Sequence, residues 1–273
     1  MRYRQAGVLG GRGDGPGRFR DALRGIAVDG RGRLYAAGDV GITVFDAAGA
    51  PLRRWSTAKP PMAVAVAADG AVYAGEAGQI EIFDGAGKLR ETWRDDKLLG
   101  RVTAIGFSHD GVFAGDAAGR AIRRFDRRGK FLSTIGANNP VNGLLIPNGV
   151  VDFAVDAKGV VWAANPGKHR VEQYAADGKL LGHVGKFHGV DPAGFTGCCN
   201  PTNVAVGQHL YTAEKAGPRV KAYGFSGELL AVIAEDAFDA NAKNMSLAVD
   251  TQRRVYVADT VRLAILVFEE EAA

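Results

Sequence analysis

The feature that most constrains this chain is a unit of about 40–50 residues that repeats from end to end. The segment "IAVDGRGRLYAAGDVGITVFDAAGAPLRRW" (26–55) aligns with "VAVAADGAVYAGEAGQIEIFDGAGKLRETW" (64–93). Each reads as an apolar strand, an Asp/Gly turn, a strand holding an aromatic–small–small unit, a Gly turn, a strand closing on an aromatic, a further Gly turn, and a last strand. The same order recurs over 104–136, 153–185 and 203–234, and over 246–271 without its last strand. Two aromatic ladders mark the register. Tyr35, Tyr73, Phe113, Trp162, Tyr211 and Tyr256 fall in the second strand; Phe45, Phe83, Phe125, Tyr174, Tyr223 and Phe268 fall in the third. A large ring at a repeated position is what stacked sheets need to bury their faces on one another, so both ladders are expected in the core.

Four short antiparallel strands per unit at this period predict an all-β chain, a six-bladed β-propeller. The last copy lacks an outer strand, and "RYRQAGVLG" (2–10) resembles the outer strands of the others. It is expected to pair with 263–269 and close the ring, giving one propeller domain over 1–273 with blades near 26–55, 64–93, 104–136, 153–185, 203–234 and 246–269 plus 2–10. The 38 glycines serve the many tight turns such a fold requires.

"HRVEQYAADGKLLGHVG", "PRVKAYGFSGELL" and "VYVADTVRLAILVF" resemble NHL repeats. The resemblance covers the whole chain. It implies a six-bladed propeller and a range of roles: sensor domains, protein- and RNA-binding platforms, and a few lyases and hydrolases. A fold of this kind does not fix a function.

In a radial four-stranded meander, the starts of the innermost strands and the ends of the second strands share one face. Counting back from the aligned valines gives an inner ring of Gly25, Ala63, Ala104, Asp152, Asn203 and Ser246. Blades one to three are thus expected to supply small residues, and blades four to six polar ones. The two long insertions, 137–151 and 186–202, lead into the first strands of blades four and five, on the same half. The second strands end at Asp39, Glu76, Asp116, Asn165, Glu214 and Asp259, where a carboxylate can bind loop amides. Glu214 stands beside Lys215, and Arg170 and Arg219 are expected on the same rim.

The second insertion ends in "FTGCCNPTNVAV", with Cys198 and Cys199 the only cysteines of the chain. Three readings stand side by side. A vicinal disulfide is strained, because adjacent Cα atoms lie about 3.8 Å apart where ordinary disulfides span about 4.4–6.8 Å. Two thiolates also suit a soft metal, with His183 and His188 the nearest further donors, although no zinc-type spacing links them. The third reading is two thiols packed as small hydrophobes.

"LIPNGVV" (145–151) resembles the Pro-Asn-Gly segment of six-bladed lactonases of the gluconolactonase type. That resemblance implies one divalent metal ion held by Asn148, Asp152, Asn203 and Glu214, activating water for a hydrolase or lyase. Asn-Gly is equally a turn sequence.

The chain carries a net charge of +4, with basic residues scattered singly or in pairs. No basic stripe interleaved with aromatics appears, which argues against nucleic-acid binding. No apolar run is long enough for a membrane span, and the start has no apolar signal segment, which leaves cytosolic, periplasmic and secreted locations open. The leading expectation is a binding propeller that takes a small molecule, peptide or protein at the mouth near blades four to six. Its contact residues would be Cys198, Cys199, Asp152, Asn203, Glu214, Lys215, Arg170 and Arg219. Metal-dependent catalysis in the same pocket and a redox or soft-metal site at the cysteines are the alternatives.

Overall fold

A computed structural model describes residues 1–137 and 143–271. Among these, twenty-four strands form six four-stranded antiparallel sheets whose first strands neighbour one another in a ring. Blades one to five run over 23–56, 63–94, 102–135, 153–184 and 203–234. Blade six combines 247–270 with the N-terminal strand Tyr3–Gly10. The architecture is the six-bladed propeller that the repeat predicts. The one helical element among the described residues is a short 3-10 turn at Pro166–Lys168, and no described helix is long and apolar enough to cross a membrane.

The turns follow from their sequence. In "FDAAGA", "FDGAGK", "FDRRGK" and "VDAKGV", one oxygen of Asp46, Asp84, Asp126 or Asp156 accepts two backbone N–H groups, two and four residues ahead. Gly49, Gly87, Gly129 and Gly159 supply the positive φ that closes each hairpin.

The aromatic ladders are buried at every rung, from fully buried Tyr35 to Tyr73 at 7% exposed. Each second-strand ring shares one buried cluster with the third-strand ring of the next blade. The pairs are Tyr35 with Phe83, Tyr73 with Phe125, Phe113 with Tyr174, Trp162 with Tyr223, and Tyr211 with Phe268. Tyr256 with Phe45 completes the circle between blades six and one. Truncating a buried ring of this size to alanine costs about 3–5 kcal/mol.

Closure occurs where the sequence places it. Tyr3–Gly10 pairs antiparallel with Ala264–Glu270, Tyr3 opposite Glu270 and Gly10 opposite Ala264. This strand completes blade six as its outermost strand and ties the start of the chain to its last blade. Deleting residues 1–10 should therefore lower the melting temperature far more than deleting 270–273. Equal melting temperatures for the two truncations, measured by circular dichroism, would refute a closing role for the N-terminal strand.

Candidate functional site at the propeller mouth

The first strands line a tunnel of about 290 Å³, whose side chains include Val28, Val66, Phe107, Val155, Val206 and Val249. Polar groups gather where these strands begin. There a cavity of about 420 Å³ opens, lined by residues that include Arg24, Arg101, Thr103, Asn148, Asp152, Asn203, Lys243 and Ser246. A larger cleft of about 970 Å³ lies at the chain ends, between 1–2, 252–254 and 269–271. It is a solvent-open seam whose Arg253 and Glu270 pair with each other at 3.6 Å.

The mouth is polar on both halves, which corrects the expectation that blades one to three contribute small residues alone. The cause is local. The first strands of blades one and three each carry a bulge, between Leu23 and Gly25 and between Val102 and Ala104. The extra residue of each bulge, Arg24 or Thr103, lines the cavity. A bulge re-aims one side chain while leaving the flanking alternation intact, so a count from the aligned valines passes over it.

Asp152, Thr103 and Ser246 also join neighbouring blades. Asp152 Oδ2 accepts the Val204 N–H at 2.7 Å, and Ser246 Oγ accepts the Ile26 N–H at 3.1 Å. Thr103 Oγ1 donates to the Val151 carbonyl at 2.8 Å and accepts the Val151 N–H at 3.1 Å. Burial pushes the Asp152 carboxyl up to about 7, although the Val204 N–H and the Asn203 amide both favour its ionised form. Asn203 is 3% exposed, and its Oδ1 has no hydrogen-bond partner. Asn148 donates through Nδ2 to Asn244 Oδ1 at 3.0 Å, and its own Oδ1 is likewise buried without a partner. The floor of the mouth is therefore rich in unused acceptors.

The rim carries the opposite charge. Arg24, Arg101 and Lys243 come from blades one, three and six, and no described carboxylate forms an ion pair with any of them. Arg24 donates to the Asp39 carbonyl at 3.3 Å and Arg101 to the Gly149 carbonyl. These bonds orient the guanidinium groups and leave their charge unbalanced.

The remaining expected site residues form a separate group on the rim of blade five. Glu214 is 1% exposed and is taken up by Arg219, at 3.0 and 3.1 Å, and by Lys221 at 2.7 Å. The proposed metal set of Asn148, Asp152, Asn203 and Glu214 is therefore not brought together, since Glu214 does not line the mouth. Among the described residues no group of three or more His, Cys, Asp or Glu side chains is placed to hold a metal ion. Cys198 and Cys199 sit beside Lys215 and Arg219 rather than on the cavity: Asn200 bonds the Lys215 backbone, and Arg219 donates to Thr196 Oγ1 at 3.0 Å. Arg170 pairs with buried Glu172 on blade four.

In blades three, four and six the side chain at the end of the second strand anchors a loop. Asp116 accepts the Arg101 N–H, Asn165 the Leu145 N–H, and Asp259 the Asp239 N–H. In blade one the equivalent position by register is Gly38, not Asp39. A side chain at Gly38 would meet the Ala22 carbonyl oxygen at 2.4 Å. The acid stands one residue later, where its carboxylate accepts the N–H groups of Arg20, Asp21 and Ala22. Burial opposes its ionisation, but these amides and Arg54 outweigh burial and hold Asp39 at about 2.

Sequence reasoning missed Lys221, which is fully buried. Its Nζ donates to the carbonyls of Pro192 and Gly194 at 2.8 and 2.7 Å and lies 4.8 Å from the Phe195 ring centre. Burial pushes the ammonium down from its ordinary value, and Glu214 opposes this. Lys221 thereby fastens the insertion 186–202 onto blade five. Its one sequence signal is a lysine on a third strand beside two core positions in "RVKAY".

No family model and no curated protein sequence matches the chain. Solved structures do match it in shape. A Bacteroides thetaiotaomicron protein of unknown function aligns over 98% of this chain and 75% of its own, with a TM-score of 0.74 and 13% identity. A catalytically inactive histidine-to-alanine variant of virginiamycin B lyase from Staphylococcus aureus, solved with quinupristin, aligns over 95% and 82%, with a TM-score of 0.62 and 11% identity. A chain of the mitotic checkpoint complex aligns over 98% and 92%, with a TM-score of 0.67 and 13% identity. At these identities the likeness is one of fold.

Two outcomes follow from these contacts. Asp152 ionises near 4 in the unfolded chain and near 7 in the folded one, so its ionisation disfavours folding increasingly as pH rises between those values. Asp152→Asn should gain melting temperature relative to the native protein from pH 4 to 7 and hold that gain above 7; a difference that does not change with pH contradicts the assignment. Lys221→Met removes one partner of a buried pair and should cost about 3–5 kcal/mol in urea unfolding. A loss below about 1 kcal/mol, the scale of one ordinary hydrogen bond, would show that the clamp carries little.

Proposed function

We propose that this chain is a single-domain binding propeller of NHL-like repeats that holds a small polar molecule in its mouth. The observation that carries this reading is the unpartnered, buried Oδ1 of Asn203 at the base of a cavity ringed by Arg24, Arg101 and Lys243. A buried acceptor left without a donor costs about 1–3 kcal/mol, which a bound donor recovers. The volume of about 420 Å³ falls within the range of small-molecule sites. The ligand that suits both ends is an organic anion with a hydroxyl or amino group. Its donor faces Asn203 and Asp152, and its carboxylate or phosphate faces the cations.

Asn148, Asp152 and Asn203 offer oxygen donors, which keeps a metal-dependent hydrolase as the second reading, now without Glu214.

A thermal-shift screen of hydroxy acids, amino acids and sugar phosphates tests the proposal, with Ca²⁺, Zn²⁺ and Mn²⁺ added alone in parallel. A ligand at a hundredfold excess over its Kd stabilises by about 2.7 kcal/mol. At least one organic anion should do so, and Asn203→Ala and Lys243→Ala should each abolish the shift. Stabilisation by a metal alone, lost in Asn203→Ala, transfers the site to the hydrolase reading. No shift by any probe counts against a small-molecule site.

A further inference from the structure

The cysteine pair lies outside the mouth, and its geometry supports a function of its own. We propose that Cys198 and Cys199 form a reversible dithiol–disulfide site that exchanges with low-molecular-weight disulfides.

The two sulfurs lie 2.7 Å apart, closer than ordinary packing allows and within reach of a bond after a small rotation. Cys198 is exposed and Cys199 is buried at 9% exposed, so one thiol faces solvent and the other waits behind it. The segment is held on both sides. Asn200 Nδ2 donates to the Thr196 carbonyl at 2.8 Å and the Lys215 carbonyl at 3.0 Å, and its Oδ1 accepts the Lys215 N–H at 2.9 Å. Gly197 and Cys199 both have positive φ, at 66° and 69°. A left-handed conformation is costly for cysteine, and here it folds the chain back so that consecutive side chains meet instead of diverging. Plain packing of two small hydrophobes requires none of this.

The Lys215 ammonium beside the pair favours the Cys199 thiolate. Burial and the neighbouring Cys198 outweigh it and raise the Cys199 thiol. The order of steps follows from access. The Cys198 thiolate attacks one sulfur of a small disulfide RSSR, breaking its S–S bond. This forms the mixed disulfide Cys198–S–S–R and releases one RS⁻. Cys199 then loses its proton and attacks the Cys198 sulfur, forming the vicinal S–S bond and expelling the second RS⁻. The two cysteines are oxidised by two electrons, RSSR is reduced to two thiols, and the two cysteine protons end on the leaving thiolates. The ring closed across one peptide bond is shorter than ordinary disulfide geometry allows, so a dithiol reductant readily reopens it.

The test uses the whole protein and oxidised glutathione. Native protein should lose both free thiols, counted after denaturation, and its intact mass should fall by two hydrogen atoms. Peptide mapping should place the change within one peptide containing residues 198–199, and dithiothreitol should restore both thiols. Cys199→Ser should stop at the glutathione adduct on Cys198, because the resolving thiol is gone. Cys198→Ser should react more slowly by at least tenfold, because the remaining thiol is buried. Circular dichroism confirms that each variant is folded. Two thiols that persist with unchanged mass, a stable glutathione adduct on the native protein, a disulfide between two chains, or thiols withheld by a bound thiophilic metal would each overturn the proposal.

Discussion

The structure depends on one contact made six times: the second-strand ring of one blade sharing a buried cluster with the third-strand ring of the next. A four-stranded sheet alone has two exposed apolar faces and two open edges, and is marginal in water. Stacking six of them buries each face against a neighbour, and the Tyr256–Phe45 cluster makes the last interface equivalent to the rest. Closure then requires the first and last blades to stay together, which the N-terminal strand provides by covalent continuity with blade one and a ladder onto blade six. Gly25, Ala63 and Ala104 line the mouth end of the tunnel, and polar side chains join one blade to the next.

The second layer of organisation is electrostatic and stays largely within single blades. The end of each second strand sits under the loop that leads into a first strand, where unpaired backbone N–H groups need acceptors. In blades three, four and six an acid or asparagine there accepts them. The exception in blade one follows the same demand under a steric limit: Gly38 leaves no space, and Asp39 reaches the same loop from the next position. In blade five the carboxylate is diverted. Glu214 binds Arg219 and Lys221, and Lys221 in turn holds the insertion by two of its carbonyls. The long loop of blade five is thus built onto the blade by a buried lysine, and the cysteine turn at its end has a fixed base.

The fold was legible because the signal that specifies it is periodic. Twelve aromatic positions and the turn aspartates repeat with the blade, and the missing strand of the last copy announces its replacement at the N-terminus. The site was legible only where it follows that period. Asp152 and Asn203 fall on aligned positions and do line the mouth. Arg24 and Thr103 sit on bulges, which break the period locally and have no composition of their own. Lys243 and Arg101 belong to loops whose path depends on tertiary packing. Glu214 was misplaced in the opposite sense. Its position in the repeat is that of a loop anchor, but which partner a buried carboxylate takes depends on residues five and seven positions along the chain. The cysteine pair was visible as an anomaly, and its association with blade five rather than the mouth came from the hydrogen bonds of Asn200.

The buried carboxylates differ in whether a cation partners them. Asp116 has Arg123, Glu172 has Arg170, Glu214 has Arg219 and Lys221, and Asp250 has Arg254, each pair within 3.2 Å. Two carboxyl groups are pushed up to about 7, Asp152 by burial and Glu76 by burial together with Glu81. Glu76 is sealed from solvent and donated to by Gln79 at 2.6 Å, so nothing from outside can relieve it. Asp152 differs because it lines a cavity, beneath three cations that form no ion pair with it. A carboxyl poised near neutrality can accept a hydrogen bond when ionised and donate one when protonated. A ligand donor would therefore lower its pKa and a ligand acceptor raise it. Either response ties occupancy of the mouth to proton binding at Asp152, and hence to pH near neutrality.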